Sequence, residues 1–183
     1  MMKPNRPFFP GILIFVFGLC TVLGEPESGA SWRAFQASAK IEIEDSTLKV
    51  QGKDVPAISA RIPASQSSFN TALIAPLEDG SSLVQTVSFR VKVPDSAPRT
   101  VIVALFGKDW YLKDNAGKPL PVKKFTEASP EYVDGELEIV WEIGSLLAAA
   151  EETETRQLIF IYPTNELPEG TAVDLTLSEV TFR

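Results

Sequence analysis

The chain has 183 residues, 44% of them hydrophobic, and carries 24 acidic against 17 basic residues for a net charge of −7. That length and apolar fraction suit one domain with a substantial core. There is no histidine, which removes Ser-His-Asp catalysis, His-ligated zinc and the 2-His-1-carboxylate iron site, and no GxGxxG or P-loop pattern is present.

Residues 1–24 differ in kind from the rest. Lys3 and Arg6 form a basic start, Ile12 to Cys20 is an apolar run broken only by Gly18, and Val22-Leu23-Gly24 lies just before Glu25. This is the pattern of a secretory signal peptide. Phe8 to Leu23 is shorter than the roughly 20 residues that cross a bilayer as a helix. An uncleaved signal anchor is one alternative. Lipidation of Cys20 is another, although Leu19 replaces the Gly or Ala that a lipobox places before its cysteine. Cleavage after Gly24 leaves no cysteine, hence no disulfide, thiolate nucleophile or Cys₄ metal site. It also leaves 15 basic against 24 acidic residues, a net charge of −9. Such a surface repels phosphate backbones and anionic membranes, so neither nucleic acid nor membrane is an expected partner of the mature chain. The expected divisions are a signal peptide (1–24), a polar N-terminal segment with Trp32 and Phe35 (25–39), and one β domain (40–183).

In the β domain, Lys40 to Glu44 alternates polar and apolar, and Asp45-Ser46 is expected to turn it into Leu48 to Val50. Val55 to Ile62 carries Pro56 and is followed by Pro63, which predicts a sheet edge. Phe69 to Leu77 is a further strand candidate. After the turn cluster Glu78 to Ser81, Leu83 to Val93 sets Val87, Phe89, Val91 and Val93 against Ser88, Arg90 and Lys92, a half-buried strand. Val101 to Gly107 is apolar or small without a break, as a strand covered on both faces should be; it is expected to be central and to run on toward Lys113. Asp114 to Gly117 reads as the turn that ends it.

Lys118 to Tyr132 reads as an irregular excursion with short edge strands at most. Beyond Asp134-Gly135, Leu137, Ile139, Trp141 and Ile143 share a core face, with Glu136, Glu138 and Glu142 opposite. Ser145 is placed to cap one helix, Leu146 to about Glu152. Arg156 to Tyr162 and Ala172 to Phe182 close the chain as strands. Val173, Leu175 and Leu177 share one parity while Val180 and Phe182 have the other, so a bulge near Ser178-Glu179 is needed to keep register. Short strands with little helix make this an all-β antiparallel sandwich and not a βαβ fold.

Carboxylates are what survive the exclusions. Glu136 and Glu138, about 7 Å apart on one strand face, are within reach of glycosidase chemistry, yet glutamates alternating along such a strand are commonly its solvated face. No enzyme activity is expected. Binding is better supported: Trp110 and Tyr111, where the long apolar strand turns polar, lie beside Lys108, Asp109, Lys113, Asp114 and Asn115. A sugar has an apolar ring face and a rim of hydroxyls, which an aromatic flanked by such groups can match. The competing reading makes Trp110 core.

The strand order LVQTVSFRVKV, TVIVALFGKDWYL, RQLIFIYPT and DLTLSEVTF, from about Ile41 to Phe182, resembles the galactose-binding-like jelly-roll sandwiches that include many carbohydrate-binding modules. The resemblance implies a jelly roll, a glycan ligand and a structural calcium held by the first Asp of an apolar-Asp-Asp/Asn-Val final strand. Here Leu177-Ser178-Glu179-Val180 takes those positions, with Ser178 in place of that Asp. Glu179, Asp174 and Glu44 are only remote acidic substitutes, so no cofactor is expected, the implied structural calcium being put in doubt by this replacement. The chain therefore reads as a secreted glycan-binding module, or alternatively as a structural or protein-interaction sandwich of the cell envelope.

Overall fold

In the computed structural model, residues 28–35, 40–66, 71–77, 84–107, 110–114, 116–133, 135–150 and 156–183 are described. They form β1 (Ser28–Ala30), β2 (Arg33–Ala34), β3 (Glu42–Val50), β4 (Lys53–Pro63), β5 (Ala72–Leu77), β6 (Thr86–Lys92) and β7 (Val101–Gly107). Then come β8 (Trp110–Tyr111), β9 (Lys123–Phe125), β10 (Tyr132–Val133), β11 (Glu136–Glu142), helix α1 (Gly144–Ala149), β12 (Arg156–Ile161), β13 (Ala172–Ser178) and β14 (Val180–Phe182). All the strand pairings are antiparallel, in one sheet of eight strands and one of six, the all-β sandwich that the alternating patterns imply. Two strands come from ahead of residue 40: β1 joins the first sheet beside β14, and β2 the second beside β5.

The first sheet starts from the β3–β4 hairpin. Asp45-Ser46 does not turn the chain; β3 runs straight through it, paired residue for residue from Glu42↔Arg61 to Val50↔Lys53. The reversal falls at Gln51-Gly52, with φ of 50° and 80°, the two positive values that a tight type I′ connection needs. Asp45 and Ser46 are tolerated mid-strand because β3 is the edge strand and Asp45 is exposed. β4, in turn, is not an edge despite Pro56, since it lies between β3 and β13. The β13 ladder stops at Ala57↔Ser178, one residue short of Pro56, so the missing N–H is not called for on that side. The Pro56 carbonyl still accepts from Glu179 N–H at 3.3 Å.

The bulge sits where the parity change requires it. Thr176↔Lys92 and Leu177↔Val91 pair β13 with β6, whereas Thr181↔Ser88 and Phe182↔Val87 pair β14 with the same strand one residue out of step. The extra residue leaves a gap in the ladder. The Ser178 hydroxyl fills it, accepting from Arg90 N–H at 2.9 Å and donating to the Glu179 carbonyl at 3.1 Å. The Ser178 carbonyl accepts from the buried indole N–H of Trp32 at 2.9 Å. Trp32 stands between the sheets, edge-on to Phe89 of β6 at 5.0 Å and Phe160 of β12 at 5.9 Å.

Core residues follow the predicted parities. Val87, Phe89 and Val91 meet Leu137, Ile139, Trp141 and Ile143 between the sheets, all at most 4% exposed. Trp141 is core. α1 begins at Gly144 with no side-chain cap, and Ser145 lies inside it. Ile143 and Gly144 N–H both donate to the Gln85 carbonyl, at 2.8 and 3.0 Å, so a backbone acceptor serves the start of the helix ahead of Ser145. Lys118 to Tyr132 contributes the short β9, on β7, and the first residue of β10, on β11.

β7 and β12 are covered on both faces. Val101, Val103, Leu105, Leu158 and Phe160 point between the sheets, while Ala104, Phe106, Ile159 and Ile161 join Ala72 and Ile74 in a second apolar cluster on the far side of the smaller sheet. One end of the sandwich is tied by Arg99, which pairs with Asp95 at 2.6 Å and Glu127 at 3.3 Å. Nearby, Tyr162 donates its hydroxyl to the Pro98 carbonyl at 2.6 Å, whereas the buried Tyr132 hydroxyl has no hydrogen-bond partner among the described residues. Burial raises both phenols, Tyr132 to about 12 and Tyr162 further.

Two predictions follow from this packing. Ser178→Ala and Trp32→Phe each strand a buried backbone group at the bulge and should cost about 1–3 kcal/mol in urea melts with the circular dichroism of a β protein retained; neutral substitutions at both sites would show that the bulge is held by the backbone alone. The phenols predict a pH effect. Their folded values lie above the unfolded value near 10, so their contribution is complete below pH 10 and is lost as pH rises through 10 toward 12 and beyond. Tyr132→Phe should leave stability at pH 8 unchanged or higher and flatten that alkaline decline, while Tyr162→Phe, by orphaning the Pro98 carbonyl, should lower it at pH 8; chemical melts across pH 8–12 read both.

Candidate functional site

The predicted aromatic site divides in the structure. The apolar strand does not run on to Lys113; it reverses, and Phe106↔Tyr111 and Gly107↔Trp110 pair β7 with β8 as a hairpin. Tyr111 falls beside Phe106, rings edge-on at 4.7 Å, partly buried against the outer cluster of the smaller sheet. Tyr111 is thus a packed ring and not a free platform. Lys108, Asp109 and Asn115 lie outside the described residues, and of Trp110 the backbone alone is described.

Lys113 is exposed and bridges to Pro119, and Leu112 between the candidates is buried. Asp114 is a turn residue: its Oδ1 accepts from Ala116 N–H at 2.9 Å and Lys118 N–H at 2.8 Å, and Gly117 follows with φ of 76°.

The larger sheet offers a different surface. Its outer face takes the polar parity of β6, β11, β13 and β14, and two depressions lie on it. The first, of about 450 Å³, runs along the bulge and is lined by Ser88, Arg90, Glu138, Glu179, Thr181 and Arg183. The second, of about 550 Å³, reaches the β10–β11 hairpin past Glu131, Glu136, Val133 and Val140. They share Arg90 and Glu138, which face each other across the ladder and pair at 2.7 Å. Val133 and Val140 are exposed at 64% and 54%. The face thus presents hydroxyls, guanidinium donors and carboxylate acceptors with an apolar flank, a set able to hold a polyhydroxylated ligand at several points at once.

Glu138, where the two depressions meet, is not set up as a catalytic acid. Glu138 is 53% exposed in its side chain and already holds Arg90, so it lacks the desolvation that a glycosidase acid needs. Nor do the donors of the implied calcium come together. The Ser178 hydroxyl is spent on the bulge, Asp174 pairs with Arg61 through both oxygens at 3.1 Å, and among the described residues no three His, Cys, Asp or Glu side chains gather.

Sequence reasoning passed over Ser88, Thr181 and Arg183. Ser88 and Arg90 were legible as an outward-facing parity, but that parity looks the same on a flat solvated sheet as on a grooved one. Pairing of β14 with β6 brings Thr181 to Ser88.

Comparison with solved structures finds sandwiches of similar shape at low identity. The carbohydrate-binding module CBM27-1 of Caldicellulosiruptor saccharolyticus, in complex with mannohexaose, matches with a TM-score of 0.47 and 11% identity over 84% of this chain and 90% of that one. The family 11 carbohydrate-binding module of Clostridium thermocellum, in complex with a β-1,3-1,4-mixed-linked tetrasaccharide, gives 0.40 and 11% over 84% and 86%. The K1 cleaved adhesin domain of Lys-gingipain from Porphyromonas gingivalis W83 gives 0.40 and 13% over 86% and 92%. No protein-family model matches the sequence, and no curated protein does. Among the described residues, no helix is long and apolar enough to cross a membrane.

The turn role of Asp114 is directly testable. Asp114→Ala should speed amide hydrogen exchange at Ala116 and Lys118 and cost about 1 kcal/mol or less, since the site is partly exposed; unchanged exchange would free its carboxylate for another task.

Proposed function

We propose that this is a secreted, non-catalytic β-sandwich module that binds a glycan across the polar face of its larger sheet. The observation that carries this reading is the pair of depressions joined at Arg90 and Glu138. Sugar hydroxyls both donate and accept, and this face supplies partners of each kind: Arg90 and Arg183 donate, Glu138 and Glu179 accept, and Ser88 and Thr181 do either. The exposed valines offer a surface for the C–H side of a sugar ring. The absence of histidine and the exposed, ion-paired state of Glu138 support a binding role without catalysis. The signal-like pattern of residues 1–24 and the acidic charge support export. The stretch from Lys108 to Asn115, with Trp110, Tyr111, Lys113 and Asp114, is the alternative place for that ligand.

A second reading keeps the chain as a structural or protein-interaction sandwich of the cell envelope, with the exposed Val133 and Val140 as the apolar surface it would offer a partner.

Binding to a panel of immobilised neutral polysaccharides tests these readings. Ser88→Trp places a bulky ring in the first depression and should weaken binding tenfold or more, about 1.4 kcal/mol, with a melting temperature within a few degrees of the parent. Trp110→Ala should leave binding within about twofold. The reverse pattern would move the ligand to the hairpin. Silence of the unmutated protein across the panel would leave the envelope-interaction reading.

A further inference from the structure

Resting on the glycan reading above, we infer that this groove takes chains without acidic groups, and that Glu138, Glu131 and Glu136 set that limit. Arg90 stands where the two depressions meet and lines both. A free guanidinium in that place would draw a uronate or sulfate group by forked, charge-assisted bonds. Glu138 has already taken that role, with its Oε2 2.7 Å from Arg90 Nη2. One carboxylate occupies at most two of the five guanidinium N–H donors at once, so the others can still reach hydroxyl oxygens. What Arg90 presents to a ligand is therefore hydrogen-bonding capacity with its charge cancelled.

Exposure acts in the same direction. The Arg90 side chain is 24% exposed and that of Glu138 53%, so an anion approaching Arg90 meets the more exposed Glu138 carboxylate at close range. In the first depression Arg90 and Arg183 balance Glu138 and Glu179. In the second, Glu131, Glu136 and Glu138 face Arg90 as the one cation in the lining, and Lys92 opposes Glu136 across the ladder from outside it. A carboxylated chain lying along the groove passes from a balanced region into a negative one, on a protein whose net charge is −7.

The measurement is the ratio of binding to polygalacturonate over binding to an uncharged galactomannan, taken by affinity electrophoresis at ~20 mM and ~0.5 M salt. The unmutated protein should be retarded by the neutral polymer and not by the polyuronate. Glu138→Gln keeps an amide oxygen for Arg90 while removing the cancelling charge, and Glu131→Gln with Glu136→Gln relieves the second depression. Each should raise the anionic-to-neutral ratio about tenfold at low salt, with most of the gain gone at high salt. Equal retardation of the unmutated protein by both polymers, or a ratio unmoved in both variants, overturns the charge rule and leaves glycan binding standing. Retardation by neither polymer removes the glycan site and the rule together.

Discussion

The bulge at Ser178-Glu179 is the constraint on which most of this sandwich depends. One extra residue in the last strand shifts parity between β13 and β14, so that Leu177 and Val180 are both buried although three positions apart. Without it, either the first half or the second half of that strand would turn its apolar residues to solvent. The bulge also creates unpaired backbone groups. Ser178 serves one of them through its hydroxyl, and Trp32 serves another by an indole N–H brought from the N-terminal strands. The same tryptophan touches Phe89 in one sheet and Phe160 in the other. A defect in the ladder thus becomes the point at which N-terminus, C-terminus and both sheets are tied.

The bulge also shapes the outer face. Ser88, Arg90, Ser178, Glu179 and Thr181 all line the first depression, so the irregularity that restores the core register leaves a hollow on the opposite side of the strand. Polar side chains on a flat sheet would be a solvated surface. The same side chains around a hollow of about 450 Å³ become a set of convergent donors and acceptors.

The two sheets differ in a way that composition alone does not show. The larger is apolar inside and polar outside, and the smaller is apolar on both sides. The unbroken run Val101 to Gly107 is the sequence signature of the second case, and the alternation of Thr86 to Lys92 and Glu136 to Glu142 that of the first. Those periodicities made the core faces, the central Trp141 and the bulge legible, because side-chain parity is a local property. The turn at Asp45-Ser46 and the edge position of Val55 to Ile62 were misread for the same reason: local turn propensity and a proline say nothing of which strand lies alongside. Ser145 is not a cap because the helix begins ahead of it at Gly144, where the carbonyl of Gln85, remote in sequence, accepts from Ile143 and Gly144 N–H.

By itself the sequence determined the class of fold, the division of each long strand into a core and a solvent face, and the exclusion of histidine chemistry. These depend on residue type and on period-two alternation, which need no knowledge of partners. Tertiary structure alone decided that β8 pairs back on the apolar strand β7, setting Tyr111 against Phe106, and that Arg90 meets Glu138 beside Ser88 and Thr181. Which polar side chains converge depends on strand neighbours and register, and the register of Thr181 against Ser88 is set by a single extra residue more than 80 positions away along the chain.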